Sequence, residues 1–180
     1  DAAGAVTLSK MCGSGMRAMM FAHDMLVAGS ADALVAGGME SMTNAPHLVF
    51  ARKGVKYGAA ALYDHMALDG LEDAYERGKA MGVFAETCVT QFGFTREAME
   101  AYAIASTQRA KKANEDGSFD WEIAPVAVPG KGGETLVKHD EQPFKARLDR
   151  IAGLKPAFKK DGAITAATAS SISDGAAALV

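Results

Sequence analysis

Between Gly15 and Ala28 the chain is apolar almost all the way round a helix, with only Arg17, His23 and Asp24 interrupting. Arg17 and Asp24 are seven positions apart and share a face, which is the pattern of a buried helix with one narrow polar stripe. Gly29-Ser30 ends it. The next run, Ala31-Asp32-Ala33-Leu34-Val35-Ala36-Gly37-Gly38, reads as a short strand covered on both faces, as in a parallel sheet between helices. With Val6-Thr7-Leu8 as a preceding strand, residues 1–42 make a β-α-β unit, and the expected fold class is α/β. Ligands favour the strand-to-helix edge of such a unit, and Cys12 lies there.

Composition narrows the function classes. The 180 residues are 49% hydrophobic and 23% charged with a formal net charge of −3, enough for one good core, or for one core with a smaller appendage. No basic field argues for nucleic acid or an anionic membrane surface. No run approaches a membrane span and none has the form of a signal peptide. Cys12 and Cys88 give neither a disulfide framework nor a CxxC knuckle. A reducing compartment is therefore expected, the cytoplasm, where Cys12 stays a thiol. The chain starts at Asp1 and stops in the apolar run Gly175-Ala176-Ala177-Ala178-Leu179-Val180. Free termini are usually polar, so the expectation is an internal fragment of a longer protein.

From Thr43 to about Pro156 the character changes. Residues 54–61 are loop-like, and short helical pieces are expected over 63–68, 71–79 and 82–92. Thr95 caps a strong helix over 96–114, with Glu97 and Glu100 early and Arg109, Lys111 and Lys112 late, which suits the helix dipole; Gly117 follows its end. Residues 123–128 and 135–138, joined by Gly130-Lys131-Gly132-Gly133, look like a hairpin. Residues 43–156 thus read as an insertion hung on the α/β frame, a substrate-holding lobe, with 157–180 returning to the frame. Residues 162–175 are dense in small side chains, which suits either close approach of a long ligand to the backbone or tight packing between helices.

Cys12, in Ser9-Lys10-Met11-Cys12-Gly13-Ser14-Gly15, is the residue best placed for chemistry. At a helix N-terminus the dipole and unpaired amides favour the thiolate, the nucleophilic form, and the same amides can receive a developing oxyanion. The alternative is a small buried hydrophobe, and spacing alone picks out no base partner. Cys88, mid-helix in Glu86-Thr87-Cys88-Val89, reads as a core cysteine. His23, His47, His65 and His139 have no metal-ligand spacing. Residues 129–135 lack the GxxxxGK[ST] spacing of a phosphate loop, and Ser14 lacks a GxSxG frame.

SKMCGSGMRA closely resembles the nucleophile segment of thiolases, the acetyl-CoA acetyltransferase and 3-ketoacyl-CoA thiolase family. The resemblance continues through ADALVAGGMESMTNAPH, MGVFAE, the helix after Thr95 and GAITAATASSISDGAAALV, in order along the chain. It implies a layered αβαβα fold of two α/β halves with a loop domain inserted into the first. This chain would hold part of the first half, with the nucleophile in 1–42, the α+β loop domain in 43–156 and the return in 157–180.

It also implies an acyl-CoA C-acyltransferase that interconverts two acyl-CoA molecules with a 3-ketoacyl-CoA and CoA. Cys12 would carry the acyl group as a thioester. The family's base, a His in a GHP motif, and its second cysteine, in a CxGGG motif, have no counterpart here. By motif, Met81 falls on the pantetheine channel, Leu71 on the loop-domain wall and Phe158 beside the acyl-pantetheine. Ala166 and Ser170 match residues at the pantetheine amides. Coenzyme A thioesters are substrates in this reading, which implies no resident cofactor and no metal. A homo-oligomer, dimer or tetramer, is implied for the full-length protein, with no nucleic-acid or membrane partner. Three positions depart from the family pattern: Ser9 and Thr168 stand where Asn is usual, and Ala80 stands where some biosynthetic members carry His. A ketoacyl synthase-like condensing enzyme shares the cysteine with another histidine arrangement. A catalytically inactive, thiolase-like lipid-binding protein is the third reading, against which the intact CGSG stands.

Overall fold

The structure, a computed structural model, describes residues 3–180. Internal contacts divide the chain into two compact units: one runs to Met81 and resumes at Ser171–Val180, and the other is Gly82–Ser170.

In the first unit, helix α1 (Ser14–Val27) is followed by strand β1 (Ala36–Glu40). The helix closes as expected at Gly29, which takes φ +69. Ser30 N–H donates to Met25 O (2.9 Å) and Gly29 N–H to Leu26 O (3.0 Å), the Schellman arrangement that only a residue free to adopt positive φ completes cheaply. Strand β6 (Gly175–Leu179) pairs with β1 antiparallel, from Ala36 opposite Leu179 to Glu40 opposite Gly175. The ladder is built of small residues for a reason: a Cβ on Gly37 would collide with the Ala177 backbone. A two-residue pairing of β2 (His47–Leu48) with β3 (Tyr63–Asp64) and a π-helical turn at Ala67–Leu71 complete the unit.

Several expectations for this unit are corrected. Residues 6–8 form no strand, and β1 begins at Ala36 rather than Ala31, so the β-α-β unit with parallel pairing is not formed. A strand exists by virtue of its hydrogen-bonding neighbour, and the neighbour of β1 is a segment from the far end of the sequence, which local patterning does not specify. The helix expected to be buried has no buried residue: Met16 is 68% exposed and Val27 75%. Among the described elements β1 lies against α1 and β6, and of its residues only Ala36 is buried. Of residues 71–79, expected as helix, only Leu71 is helical, as the end of the π-helical turn, and residues 72–79 are not. They form a loop closed by a bridge between Glu72 and Ala80, with Asp73 accepting from the amides of Glu76 (2.6 Å) and Tyr75 (2.8 Å), and Glu72 from Gly78 N–H (2.8 Å). Asp and Glu side chains that serve backbone amides in this way stabilise turns at the expense of helix.

The second unit is mostly helical. Helix α2 (Met81–Phe92) ends at Gly93, φ +65, and α3 (Arg96–Glu115) begins at its cap, where Thr95 Oγ1 accepts Ala98 N–H at 3.2 Å. Arg96 bonds Glu100 one turn on (2.7 Å) and also donates to Leu154 O (2.6 Å), tying α3 to the 3-10 turn Leu148–Gly153. At the other end, the buried Asn114 donates to Ala110 O (2.9 Å) and accepts Asp140 N–H (3.2 Å). The expected hairpin is present as β4 (Val126–Gly130) and β5 (Gly133–Val137), in register from Val126 opposite Val137 to Gly130 opposite Gly133. A short helix α4 (Gln142–Lys145) follows. Ile151, Ile164, Thr165 and Glu86 are buried.

Candidate functional site

Cys12 sits on a tight turn immediately ahead of α1. Gly13 N–H donates to Lys10 O (3.0 Å) and Ser14 N–H to Met11 O (3.1 Å), while Ser14 Oγ accepts Lys10 N–H and donates to Met11 O, both at 2.8 Å. That double closure holds Met11 at φ 47, the one non-glycine residue with positive φ among those described. A methionine in the left-handed region is strained, and such strain collects at sites of function. The two amides that follow Cys12 are both spent on the turn, so an oxyanion there would need other donors than Gly13 and Ser14.

The turn opens on a cavity of about 1010 Å3 within the first unit. Cys12 lines it and is exposed. The opposite walls come from the small-residue ladder, Gly38 and Gly175–Ala177, and from the π-helical turn that carries Asp69 and Leu71. Leu71 is thus brought to the same cavity as Cys12. So is His65, which has no metal-ligand spacing in the sequence: its Nε2 lies 3.4 Å from Asp69 Oδ2, one helical turn on. The signal was the spacing of four in Asp64-His65-Met66-Ala67-Leu68-Asp69, legible only once a helical turn is known to run there.

Met81 is the first residue of α2, delivered there by the closed 72–80 loop. In that loop the Glu76 and Tyr75 amides hold the Asp73 carboxyl below its ordinary value. The remaining three predicted residues belong to the second unit. The Phe158 ring lies against Gly82 of α2, where a Cβ would collide with it. Ala166 and Ser170 are exposed on the small-residue segment. The segments that carry Phe158 and Ala166 are joined by the bridge between Pro156 and Thr165 and by Ala157 N–H donating to Ile164 O (2.9 Å). Thr168, standing where the family pattern has Asn, keeps a side-chain acceptor in use: its Oγ1 takes Thr165 N–H at 2.9 Å. Cys88, expected in the core, is exposed on α2, whose buried residue is Glu86. No cluster of His, Cys, Asp and Glu among the described residues is arranged to hold a metal ion. No helix among them is long and apolar enough to cross a membrane.

The comparisons agree with one another. The chain is 45% identical over 179 residues to an acetyl-CoA acetyltransferase of Cupriavidus necator and 43% identical over 180 residues to one of Saccharomyces cerevisiae. Each alignment covers 98% of this chain and 45% of the relative, so the chain spans a little under half the length of the curated relatives it matches. Among solved structures, the acetyl-CoA acetyltransferase of Syntrophomonas wolfei superposes with a TM-score of 0.88 at 42% identity, over 95% of this chain and 43% of that one. The Acat5 thiolase of Ascaris suum, determined in complex with coenzyme A, gives 0.88 at 40% identity, over 96% of this chain and 44% of that one. The family model described as "Thiolase, N-terminal domain" matches residues 1–180. With the α/β fold and the whole matched length in agreement, this chain belongs to the thiolase family, in its N-terminal domain.

Proposed function

We propose that the protein carrying this chain is an acyl-CoA C-acyltransferase of the acetyl-CoA acetyltransferase type, with Cys12 as its acyl carrier. The observation that carries the reading is Cys12 itself: exposed, on a strained turn at the head of α1, and open to a cavity. In the forward sense the Cys12 sulfur adds to the thioester carbonyl of one acyl-CoA, the tetrahedral adduct expels CoA as its thiolate, and the acyl group is left on Cys12. The α-carbon of a second acetyl-CoA, having lost a proton, then attacks that thioester, releasing a 3-ketoacyl-CoA and restoring the Cys12 thiolate. The proton transfers belong to a base and a second cysteine, and no GHP or CxGGG motif occurs in these 180 residues. The reading assigns both groups to the part of the relatives' length that this chain does not span.

Coenzyme A binding is supported by the Ascaris suum complex and by the motif resemblance that assigns Leu71, Met81, Phe158, Ala166 and Ser170 to the pantetheine path. In this reading residues 1–42 carry the nucleophile, 43–156 form the CoA-binding loop domain and 157–180 return to the α/β half. The CoA thioesters are substrates, no resident cofactor is required, and the full-length protein works as a cytoplasmic homo-oligomer. The test is trapping of the acyl-enzyme with labelled acetyl-CoA in the complete protein, followed by peptide mapping. Label is expected on Cys12 and absent from Cys12→Ser, with acyl transfer reduced by several powers of ten, since a serine hydroxyl is a far weaker nucleophile at neutral pH. Label on Cys88, or label retained in Cys12→Ser, overturns the assignment.

A further inference from the structure

We propose that Gly82 and Glu86, one turn apart on α2, are positioning residues for coenzyme A: they set the place of the Phe158 ring and of the backbone that carries Ala166. The inference rests on the proposed contact of Phe158 and Ala166 with the pantetheine arm.

Glu86 is 6% exposed, an unusual place for a carboxylate, which loses its hydration unless donors replace it. Its donors are two consecutive backbone amides: Ile164 N–H reaches Oε1 at 2.8 Å and Ala163 N–H reaches Oε2 at 3.0 Å. No basic side chain among the described residues pairs with it. The carboxylate is therefore a clamp for one short piece of chain. The backbone at Gly162 lies so close that a Cβ there would collide with Glu86.

The clamped piece is continuous with the proposed contact surface. Thr165, fully buried, receives Ala167 N–H on its own hydroxyl (3.3 Å) and offers its N–H to Thr168 (2.9 Å), which fixes the turn bearing Ala166. Through Ala157 N–H to Ile164 O the same clamp holds the chain just before Phe158, and the ring of Phe158 then rests on the bare backbone of Gly82. One helical turn thus supports the contact surface at two points, by an acceptor pair and by a missing side chain.

Glu86→Gln keeps the volume but offers one acceptor oxygen and an NH2 group to two N–H donors, so one amide loses its partner. Gly82→Ala strengthens the helix intrinsically while forcing the Phe158 ring to move. In the complete protein, each change is expected to raise the Kd for coenzyme A by about tenfold, measured by titration calorimetry, with the rate of Cys12 alkylation by iodoacetamide changed less than about twofold. The effect of Gly82→Ala should vanish in a Phe158→Ala background, because no ring remains to displace. An unchanged Kd in a folded Glu86→Gln protein, or a Gly82→Ala effect that persists without Phe158, overturns the proposal. If Glu86→Gln does not fold, the Gly82 and Phe158 cycle decides alone. If Phe158→Ala leaves the Kd unchanged, the coenzyme A reading of that residue fails and takes this inference with it, an outcome distinct from failure of the clamp alone.

Discussion

Met11 and Asp174 show what single residues contribute to holding the first unit in shape. Met11 sits at φ 47 between two hydrogen-bonded turns, and replacing it by glycine would relieve strain at the residue next to Cys12. Asp174 reaches across from the head of β6 to the loop after β1, where its Oδ1 accepts Thr43 N–H at 2.9 Å. That amide first, and the Thr43 side chain second, hold its carboxyl below the ordinary value of 3.8. Because the folded value is depressed, the stabilisation is present above the unfolded value and is lost as pH falls through the lower folded one. Asp174→Asn should therefore lower the unfolding midpoint at neutral pH and make the acid limb of a stability–pH curve shallower. A variant with an unaltered acid limb would show that the Thr43 contact contributes nothing. Asp73 and Asp116, also held low by hydrogen bonds, retain part of that limb.

The helices were legible in the sequence where their information is local, and their termini can be tested on that basis. Thr95 as cap of α3 and Gly29 as terminator of α1 were both read from residue type and position, and both stand in the structure with the geometry that the residue type dictates. Thr95→Ala removes the acceptor for Ala98 N–H and should cost about 1 kcal/mol in chemical denaturation. Gly29→Ala puts a side chain at φ +69, in open space, so its cost is conformational only, about 1 kcal/mol. A cost near zero for either would mean that the end concerned is held by packing and not by its cap. The hairpin was equally legible, since glycines at Gly130, Gly132 and Gly133 permit the reversal. The strands of the first unit were not. Residues 6–8 look like a strand but find no partner, and β1 takes its partner from the other end of the chain.

At the scale of the molecule the decisive feature is how little is buried. Met16, Met19, Met20, Phe21, Met25 and Leu26 of α1 are each at least 40% exposed, and only three hydrophobic residues among those described are buried. Apolar surface of that extent favours association. The 180-residue chain alone is expected to self-associate at micromolar concentration and to show no thiolysis of acetoacetyl-CoA, by analytical ultracentrifugation and an assay of CoA-dependent acetoacetyl-CoA loss. A monodisperse monomer would refute the first expectation, and turnover would refute the assignment of the base outside this chain.

Sequence by itself determined α1, α2 and α3, the cap of α3, the terminator of α1, the hairpin and the place of Cys12 at the head of α1, because each depends on residues within a turn or two of one another. It also carried the family, through motifs that keep their order along the whole chain. Only the tertiary structure decided that β1 pairs antiparallel with β6, that Leu71 and His65 face the cavity of Cys12, and that Glu86 clamps Ala163 and Ile164. Those facts join residues far apart in the chain. Periodicity and capping report only what a segment can do alone, and which distant segment meets it is settled by the close approach that small residues such as Gly37 and Gly82 allow.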